Sequence, residues 1–461
     1  MSDKEVSNNK NNMVILGGGL AGLSAGYVLS KAGKKVTVFE KDSTVGGLSK
    51  TYVQNGFRFD LGGHRFLTHK KKLEDFALEV LKNDVITVPR TSQIYMFDKY
   101  FDYPLKAANA MFGLGMFTTF LIMVDYIKEK IKNKIREPEI ISLEDWVVSQ
   151  FGRKMFNLYF KQYSEKVWGI DCSRISQEWV AKRIEGLSLW KAVKSAFNTV
   201  SGKGIKTLAD EFLYPPLGIG VLSDNMKEAI EAKGNDVQTG TGIIRINHED
   251  FRIKSVTVKE GDKTYDVEAS KFITSIPLTH TAKMLHPAAP DDIIKAASSL
   301  NYRDIVIVTI MLDRERVTDL TWLYLPEKSM PLGRIHEPKN WSEKMSPEGK
   351  TSIVTEFFCF KDDKIWKSTD EELTNITVKH LDELGFIKKS EVIDSSVIRA
   401  DKAYPLMEVG FREHYEKVLN YLKKFKNLHI IGRGGLFQYH NMDAAMETGI
   451  EAAEAILGEG R

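Results

Sequence analysis

Short apolar runs and longer amphipathic stretches alternate at both ends of the chain. Met13–Leu16 (MVIL) is wholly apolar and predicts a buried parallel strand. Ala21–Ala32 predicts a helix, with Gly33 as its C-terminal stop, and Lys35–Phe39 (KVTVF) predicts a second strand closed by Glu40. Near the far end, Asn427–Ile431 (NLHII) predicts a strand. A glycine-rich turn, Gly432-Arg433-Gly434-Gly435, follows it, and Asn441-Met442-Asp443 opens a helix over Ala444–Leu457. Between these ends, Phe272–Ile276 and Ile305–Leu312 predict strands, and Tyr214-Pro215-Pro216-Leu217-Gly218-Ile219-Gly220 is a turn-rich lead-in to a helix. Ser142-Leu143-Glu144-Asp145 has the form of a capping box opening another helix.

Residues 1–12 are polar and read as a disordered tail without the apolar core of a signal peptide. The run Ala107–Val124 is nearly all apolar, yet shorter than a spanning helix and interrupted by Asn109, Gly113 and Gly115. It is expected to be a buried helix beside a substrate pocket. Contact with a membrane surface through 107–124 is the less favoured alternative. The basic run Lys128–Arg136 after it is expected to be a solvated helix face.

The chain has 461 residues, which suits two domains, or one large domain with an inserted one. A formal net charge of +3 gives no bulk electrostatic reason to bind nucleic acid. Cys172 and Cys359 form no disulfide framework and no metal-ligand spacing, so a reducing, cytoplasmic setting and no metal are expected.

The most specific chemistry lies in Gly17-Gly18-Gly19-Leu20-Ala21-Gly22, a G-x-G-x-x-G at a strand-to-helix turn. Gly17 makes the tight turn, Gly19 admits a pyrophosphate to the backbone, and Gly22 lets helix and strand pack closely. The helix N-terminus points free N–H groups at the phosphates. Glu40, about 20 residues on, is placed to accept from ribose hydroxyls. Strand, turn, helix, strand and acid fall in register, so dinucleotide binding is expected here rather than an ordinary turn.

Glu40-Lys41 leads on to Gly46-Gly47-Leu48, and Phe59-Asp60-Leu61-Gly62-Gly63-His64 follows. This pair of segments resembles the amine-oxidase-type FAD superfamily, where the first lies along the pyrophosphate and ribitol and the second beside the isoalloxazine. The resemblance implies FAD as cofactor. It adds Gly432 and Arg433, and the helix start at Asn441-Met442-Asp443, to the cofactor site; that helix end would favour the negative charge of a reduced flavin. The fold class expected is α/β: a Rossmann-type FAD-binding domain of the two-dinucleotide-binding type, with an interleaved α+β substrate domain. The FAD-binding domain is assigned 13–75, 205–285 and 395–458, and the substrate domain 76–204 and 286–394.

Across most of its length the chain resembles the UDP-galactopyranose mutases, especially the eukaryotic-type ones, and bacterial and archaeal homologues described as amine-oxidase-like or protoporphyrinogen-oxidase-like. The first resemblance implies conversion of a nucleotide-linked pyranose to the furanose through a reduced-flavin N5 adduct, in surface-glycan synthesis. It implies a nucleotide-sugar substrate and a reductant such as NAD(P)H. Residues matching its motifs are His64 against the flavin; Arg183, after Lys166-Val167-Trp168 and Trp179, as one diphosphate-binding arginine; Trp322 and Tyr324 lining the sugar pocket; Arg334 as the second arginine; and Tyr404 and Tyr439 in mutase-like places. For each arginine alone the commoner case is a surface or interdomain ion pair; it is the two together, with Tyr404 and Tyr439, that point to a diphosphate. One departure concerns the mutase segment Tyr-Pro-Phe-Gln that contacts uracil: this chain has Tyr103-Pro104-Leu105-Lys106, lacking the aromatic surface and the amide. The alternative is an oxidoreductase of the amine oxidase or protoporphyrinogen oxidase type, in which substrate gives a hydride to the flavin.

Overall fold

The structure is a computed structural model that describes residues 12–103, 115–179 and 211–459. Arg183, Pro104–Lys106 and the first part of the apolar run, 107–114, lie outside the described residues.

Five short strands form an all-parallel sheet in the order Leu428–Ile430, Lys271–Thr274, Met13–Leu16, Val36–Phe39, Asp236–Gln238. Met13–Leu16 is buried on both faces, which is why it carries no polar alternation. The helix Leu20–Lys31 crosses from the first strand to the second, and Met442–Gly458 packs along it. The contact is close because Gly449 lies against the Ala21 carbonyl. The helix Val221–Ala232 packs on Leu20–Lys31 as well, so two helices brace the first crossover.

A seven-stranded sheet runs Val392–Pro405, Tyr302–Leu312, Thr351–Cys359, Arg334–His336, Trp322–Tyr324, Ser92–Met96, Lys99–Tyr103. It is antiparallel except where Trp322–Tyr324 meets Ser92–Met96. Tyr302–Leu312 is buried along its whole length, against the core beneath it and the helix Asp370–Glu383. A four-stranded sheet (Lys263–Glu268, Arg252–Glu260, Thr241–Glu249, Leu285–His286) completes the frame. The segment Asp236–Ile246 divides between two sheets at Thr239-Gly240.

The capping box at Ser142 is present: its hydroxyl accepts from Asp145 N–H and the Asp145 carboxylate accepts from Ser142 N–H. The expectation for 107–124 needs correction. Its described part belongs to a 20-residue helix, Met116–Ile135, of which Ile122 is the sole fully buried residue. Met116, Phe117, Phe120 and Val124 are exposed. They fall on the same side as Ile127, Ile131 and Ile135, away from the protein, so the run is apolar without being core. The basic stretch 128–136 therefore shares its solvated face with exposed isoleucines.

Candidate functional site

The G-x-G-x-x-G turn is built as its spacing requires. Gly17 takes φ +105°, and its N–H donates to the Phe39 carbonyl at 2.8 Å, locking the first strand to the second. Gly46 N–H donates to the Gly18 carbonyl at 2.8 Å, which lays Gly46-Gly47 beside Gly19. A Cβ on Gly19 would meet only Gly47 Cα, at 3.9 Å, so the backbone here is open to a ligand. Leu20, Ala21 and Gly22 form the buried first turn of the helix. Glu40 is buried and aimed inward: its two carboxylate oxygens accept from Gly18 N–H (2.7 Å) and Asp42 N–H (3.0 Å). Lys41 instead is exposed and pairs with Asp401 at 3.8 Å. Leu48 is half-buried against the Phe57–Phe59 core. Gly432 lies against the side chains of Ala21 and Ser275, and Asn441 N-caps the helix Met442–Gly458, with Asp443 in its first turn. The two helix N-termini at Gly19 and Asn441 thus bracket one glycine-lined region.

The second glycine pair does different work. Gly63 lies against the Trp322 indole, where a Cβ would overlap the ring, and a Cβ on Gly62 would sit 3.1 Å from the Glu356 carboxylate. These glycines bring the loop carrying His64 down onto the seven-stranded sheet. Asp60 fixes the loop from behind. It accepts from Thr51 Oγ1 (2.6 Å), Tyr214 OH (2.5 Å) and Ile219 N–H (3.2 Å).

Burial pushes the Asp60 carboxyl up to about 7, against three donors that pull it down. A carboxyl raised in the native state stabilises the fold while it stays protonated. That contribution is full below its unfolded value near ~4 and is lost as pH rises through about 7. Asp60→Asn should therefore flatten the dependence of the thermal midpoint on pH between the two values. Identical slopes for the variant and the parent would show that Asp60 is ionised throughout.

Around His64 the structure gathers most of the remaining candidates. Arg334 and Glu356 face each other across the pairing of Arg334–His336 with Thr351–Cys359, and they form an ion pair with Glu356 fully buried. The same guanidinium donates to Tyr404 OH at 2.9 Å and lies 5.4 Å from the Trp322 ring and 5.0 Å from Phe358. Arg433 lies 4.6 Å from the Tyr404 ring and 4.4 Å from the Tyr439 ring, and those two rings stack 5.7 Å apart at 16°. Trp322 stacks on Tyr324 at 6.0 Å, and Tyr163 and Tyr103 close over Tyr324 at 5.6 and 4.8 Å. Trp168 touches Tyr404, Tyr439 and Trp179.

Burial, with Arg433 and Arg334 nearby, depresses the His64 imidazole to about 4, so it is neutral near pH 7. Burial and Arg334 take His336 to about 3. Glu356 holds Arg334 charged. Among the described residues the cluster therefore carries two guanidiniums, Arg334 and Arg433, against the carboxylate of Glu356. Several of its buried polar atoms have no partner within the described chain: Arg433 Nε and Nη2, Arg334 Nε, His64 Nδ1 and Trp322 Nε1. Such atoms are costly unless a ligand meets them. FAD fits the arrangement: a glycine cradle beneath Glu40 for the dinucleotide, and the unpaired His64 Nδ1 and Trp322 Nε1 beside the Gly62-Gly63 turn for the polar edge of a ring system, with the Arg433 donors left over for a second ligand.

The structure brings together His64, Trp322, Tyr324, Arg334, Tyr404, Arg433 and Tyr439, all singled out from the sequence, and adds Glu356, Tyr163 and His336, which sequence reasoning missed. Glu356 had a signal: it is the one carboxylate in the otherwise uncharged strand TSIVTEFFC. Lys166, the first residue of the segment leading to Arg183, is a structural tie. Its ammonium donates to the carbonyls of Leu325 (2.5 Å), Glu327 (3.0 Å) and Leu332 (2.6 Å), fixing the loop between Tyr324 and Arg334.

The family model described as flavin containing amine oxidoreductase matches residues 20–457. Coproporphyrinogen III oxidase of Staphylococcus aureus (strain NCTC 8325 / PS 47) is 22% identical over 97% of this chain and 99% of its own length. Among solved structures, reduced UDP-galactopyranose mutase superposes with a TM-score of 0.84 at 21% identity, over 98% of this chain and 94% of that one. Cyclohexylamine oxidase from Brevibacterium oxydans IH-35A gives 0.67 at 13% identity, over 98% and 99%.

Proposed function

This chain belongs to the flavin-containing amine oxidoreductase family, and from that premise we propose that it is a mutase-like isomerase, converting a nucleotide-linked pyranose to the furanose. Its cofactor is FAD. The family spans oxidases and the fold of a mutase alike, so the choice rests on the charge of the pocket. One observation carries it: beside His64 stand two guanidiniums, Arg334 and Arg433, and among the described residues the carboxylate of Glu356 pairs with Arg334 alone.

An amine substrate enters as a cation and would meet Arg433 with no carboxylate paired to it among the described residues. An anion gains what the amine loses. Arg433 keeps two donors unpaired within the described chain, and a guanidinium matches the paired oxygens of a phosphate. Arg334, bound to Glu356, acts chiefly as a fixed wall that orients Tyr404. Arg433, expected from the sequence as a cofactor contact, is here proposed instead to neutralise the departing diphosphate, the role expected of Arg334 from the sequence. Arg183 remains in the proposal as a further diphosphate ligand. The stacked faces of Trp322–Tyr324 and Tyr404–Tyr439 offer flat apolar walls to a sugar ring. His64, held neutral, can accept or donate one hydrogen bond without adding a cation. FAD, reduced by a donor such as NAD(P)H, would supply the nucleophile. The backbone around Gly17, Gly19 and Gly47, with Glu40, would hold its dinucleotide.

The test is a product assay. The yellow protein is reduced with dithionite and given UDP-, dTDP- and GDP-hexoses, and products are separated by chromatography. A furanose product with the flavin still reduced is expected from at least one of them. No product from any, together with bleaching of the oxidised flavin by an amine or a porphyrinogen, would replace this reading with the oxidoreductase one.

A further inference from the structure

Eleven of the seventeen exposed large apolar side chains among the described residues fall between positions 97 and 141. Seven of these lie on one helix, Met116–Ile135. At 3.6 residues per turn, Met116, Phe117, Phe120, Val124, Ile127, Ile131 and Ile135 fall within an arc of about 100°. The opposite side is the one that holds the helix to the protein. There Ile122 is buried, Asp125 accepts from Lys154 N–H at 2.7 Å, and Lys130 and Asn133 donate to the Ser149 carbonyl at 3.2 and 3.0 Å. The stripe is thus presented outward by a helix whose attachment is already made. Met116 is 77% exposed and Ile135 82%, so its full length of 20 residues is open.

Cations border the stripe. Lys128, Lys132 and Lys134 are exposed, Lys128 and Lys134 on either margin of the arc, with Arg136 just beyond the end. The acids of the helix are engaged: Asp125 at Lys154 N–H, and Glu129, mostly buried, with Lys132 at 3.5 Å, which leaves Lys128 and Lys134 as the cations on the margins of the stripe. Two copies of the chain pressed stripe to stripe would therefore bring lysines together or onto apolar residues, with no free carboxylate on the helix to meet them. A surface that is apolar within and anionic at its rim satisfies both halves of the pattern. No helix among the described residues is long and apolar enough to cross a membrane, so the helix would lie along such a surface.

We propose that the helix Met116–Ile135 docks the protein on an anionic lipid surface, its apolar stripe sunk among the acyl chains and its lysines among the headgroup phosphates. The helix follows the strand Lys99–Tyr103, whose last residue packs on Tyr324 in the candidate pocket. Docking here would set a pocket wall close in sequence to the lipid surface. The inference does not depend on which reaction the pocket performs.

The experiment is co-sedimentation of the FAD-loaded protein with vesicles of phosphatidylcholine, with and without phosphatidylglycerol. Binding is expected to the phosphatidylglycerol vesicles and to fall with salt. The triple variant Phe117→Ser, Phe120→Ser, Val124→Ser should lose it while keeping its flavin absorbance and thermal midpoint, because those side chains are exposed or nearly so. Replacing Lys128 and Lys134 by Gln should weaken partitioning about fivefold for each lysine. Failure of the parent protein to sediment with phosphatidylglycerol vesicles would overturn the proposal, as would undiminished binding by the apolar triple variant. A dimer seen by light scattering, insensitive to vesicles and dissociated by the triple variant, would show that a second copy covers the stripe.

Discussion

Gly22→Ala is expected to yield a colourless protein. The new methyl would overlap the Gly17 carbonyl and stand 3.1 Å from Ile15 Cγ2. Neither neighbour can yield cheaply. The Gly17 carbonyl belongs to the turn at φ +105°, and Ile15 is fully buried in the central strand. Relief requires the helix Leu20–Lys31 to move off the strand Met13–Leu16, widening the cradle in which backbone N–H groups face the dinucleotide. Overpacking of this kind costs about 1–3 kcal/mol, and a cofactor bound through the displaced turn loses a comparable amount, about 100-fold in affinity. Fluorescence titration of the apoprotein with FAD measures it. Gly33→Ala is the control. Gly33 also has positive φ, at +75°, but nothing lies within 4 Å of the added carbon, so it should lose some stability and keep its FAD. Unchanged FAD affinity in Gly22→Ala would mean that the dinucleotide binds elsewhere.

Arg334→Ala is expected to be severely destabilising, more than a residue serving substrate alone would be. Its removal strands the Glu356 carboxylate, which has no exposed surface at all. Breaking a buried pair by deleting one partner costs about 3–5 kcal/mol. Glu356 retains one other donor, Gly63 N–H at 3.3 Å, which is too long to compensate. The double variant Arg334→Ala, Glu356→Gln removes the stranded charge and should recover much of the loss. Thermal or urea denaturation of the parent, Arg334→Ala, Glu356→Gln and the double variant gives the coupling directly. If the single variant is as stable as its parent, the pair is solvated and the pocket is more open than described. An additive double variant would show that the two side chains do not act together.

The first sixty residues were legible because every partner is near in sequence. The strand Met13–Leu16, the glycine turn, the helix and Glu40 form one crossover whose pattern is local. The aromatic and arginine positions of the pocket were legible only through resemblance, since Trp322, Arg334, Tyr404 and Arg433 come together by sheet register and chain return. Glu356 shows the limit. Its pairing with Arg334 is a matter of which residues stand opposite in two strands about twenty residues apart, and no periodicity specifies that. The helix Met116–Ile135 failed for another reason. Apolar content over 107–124 says that a segment avoids water, but the side it presents depends on where the rest of the protein lies. Reading on to Ile127, Ile131 and Ile135 would have shown one continuous stripe.

The central claim is that the pocket beside His64 receives an anion rather than an amine. A difference-absorbance titration of the oxidised holoprotein tests it most directly, using a nucleoside diphosphate in one series and an alkyl amine in the other. The account predicts a saturable flavin perturbation by the diphosphate, weakened by salt and abolished in Arg433→Ala, with no response to the amine. Reduction of the flavin by the amine, with a diphosphate leaving the spectrum unmoved, would contradict it.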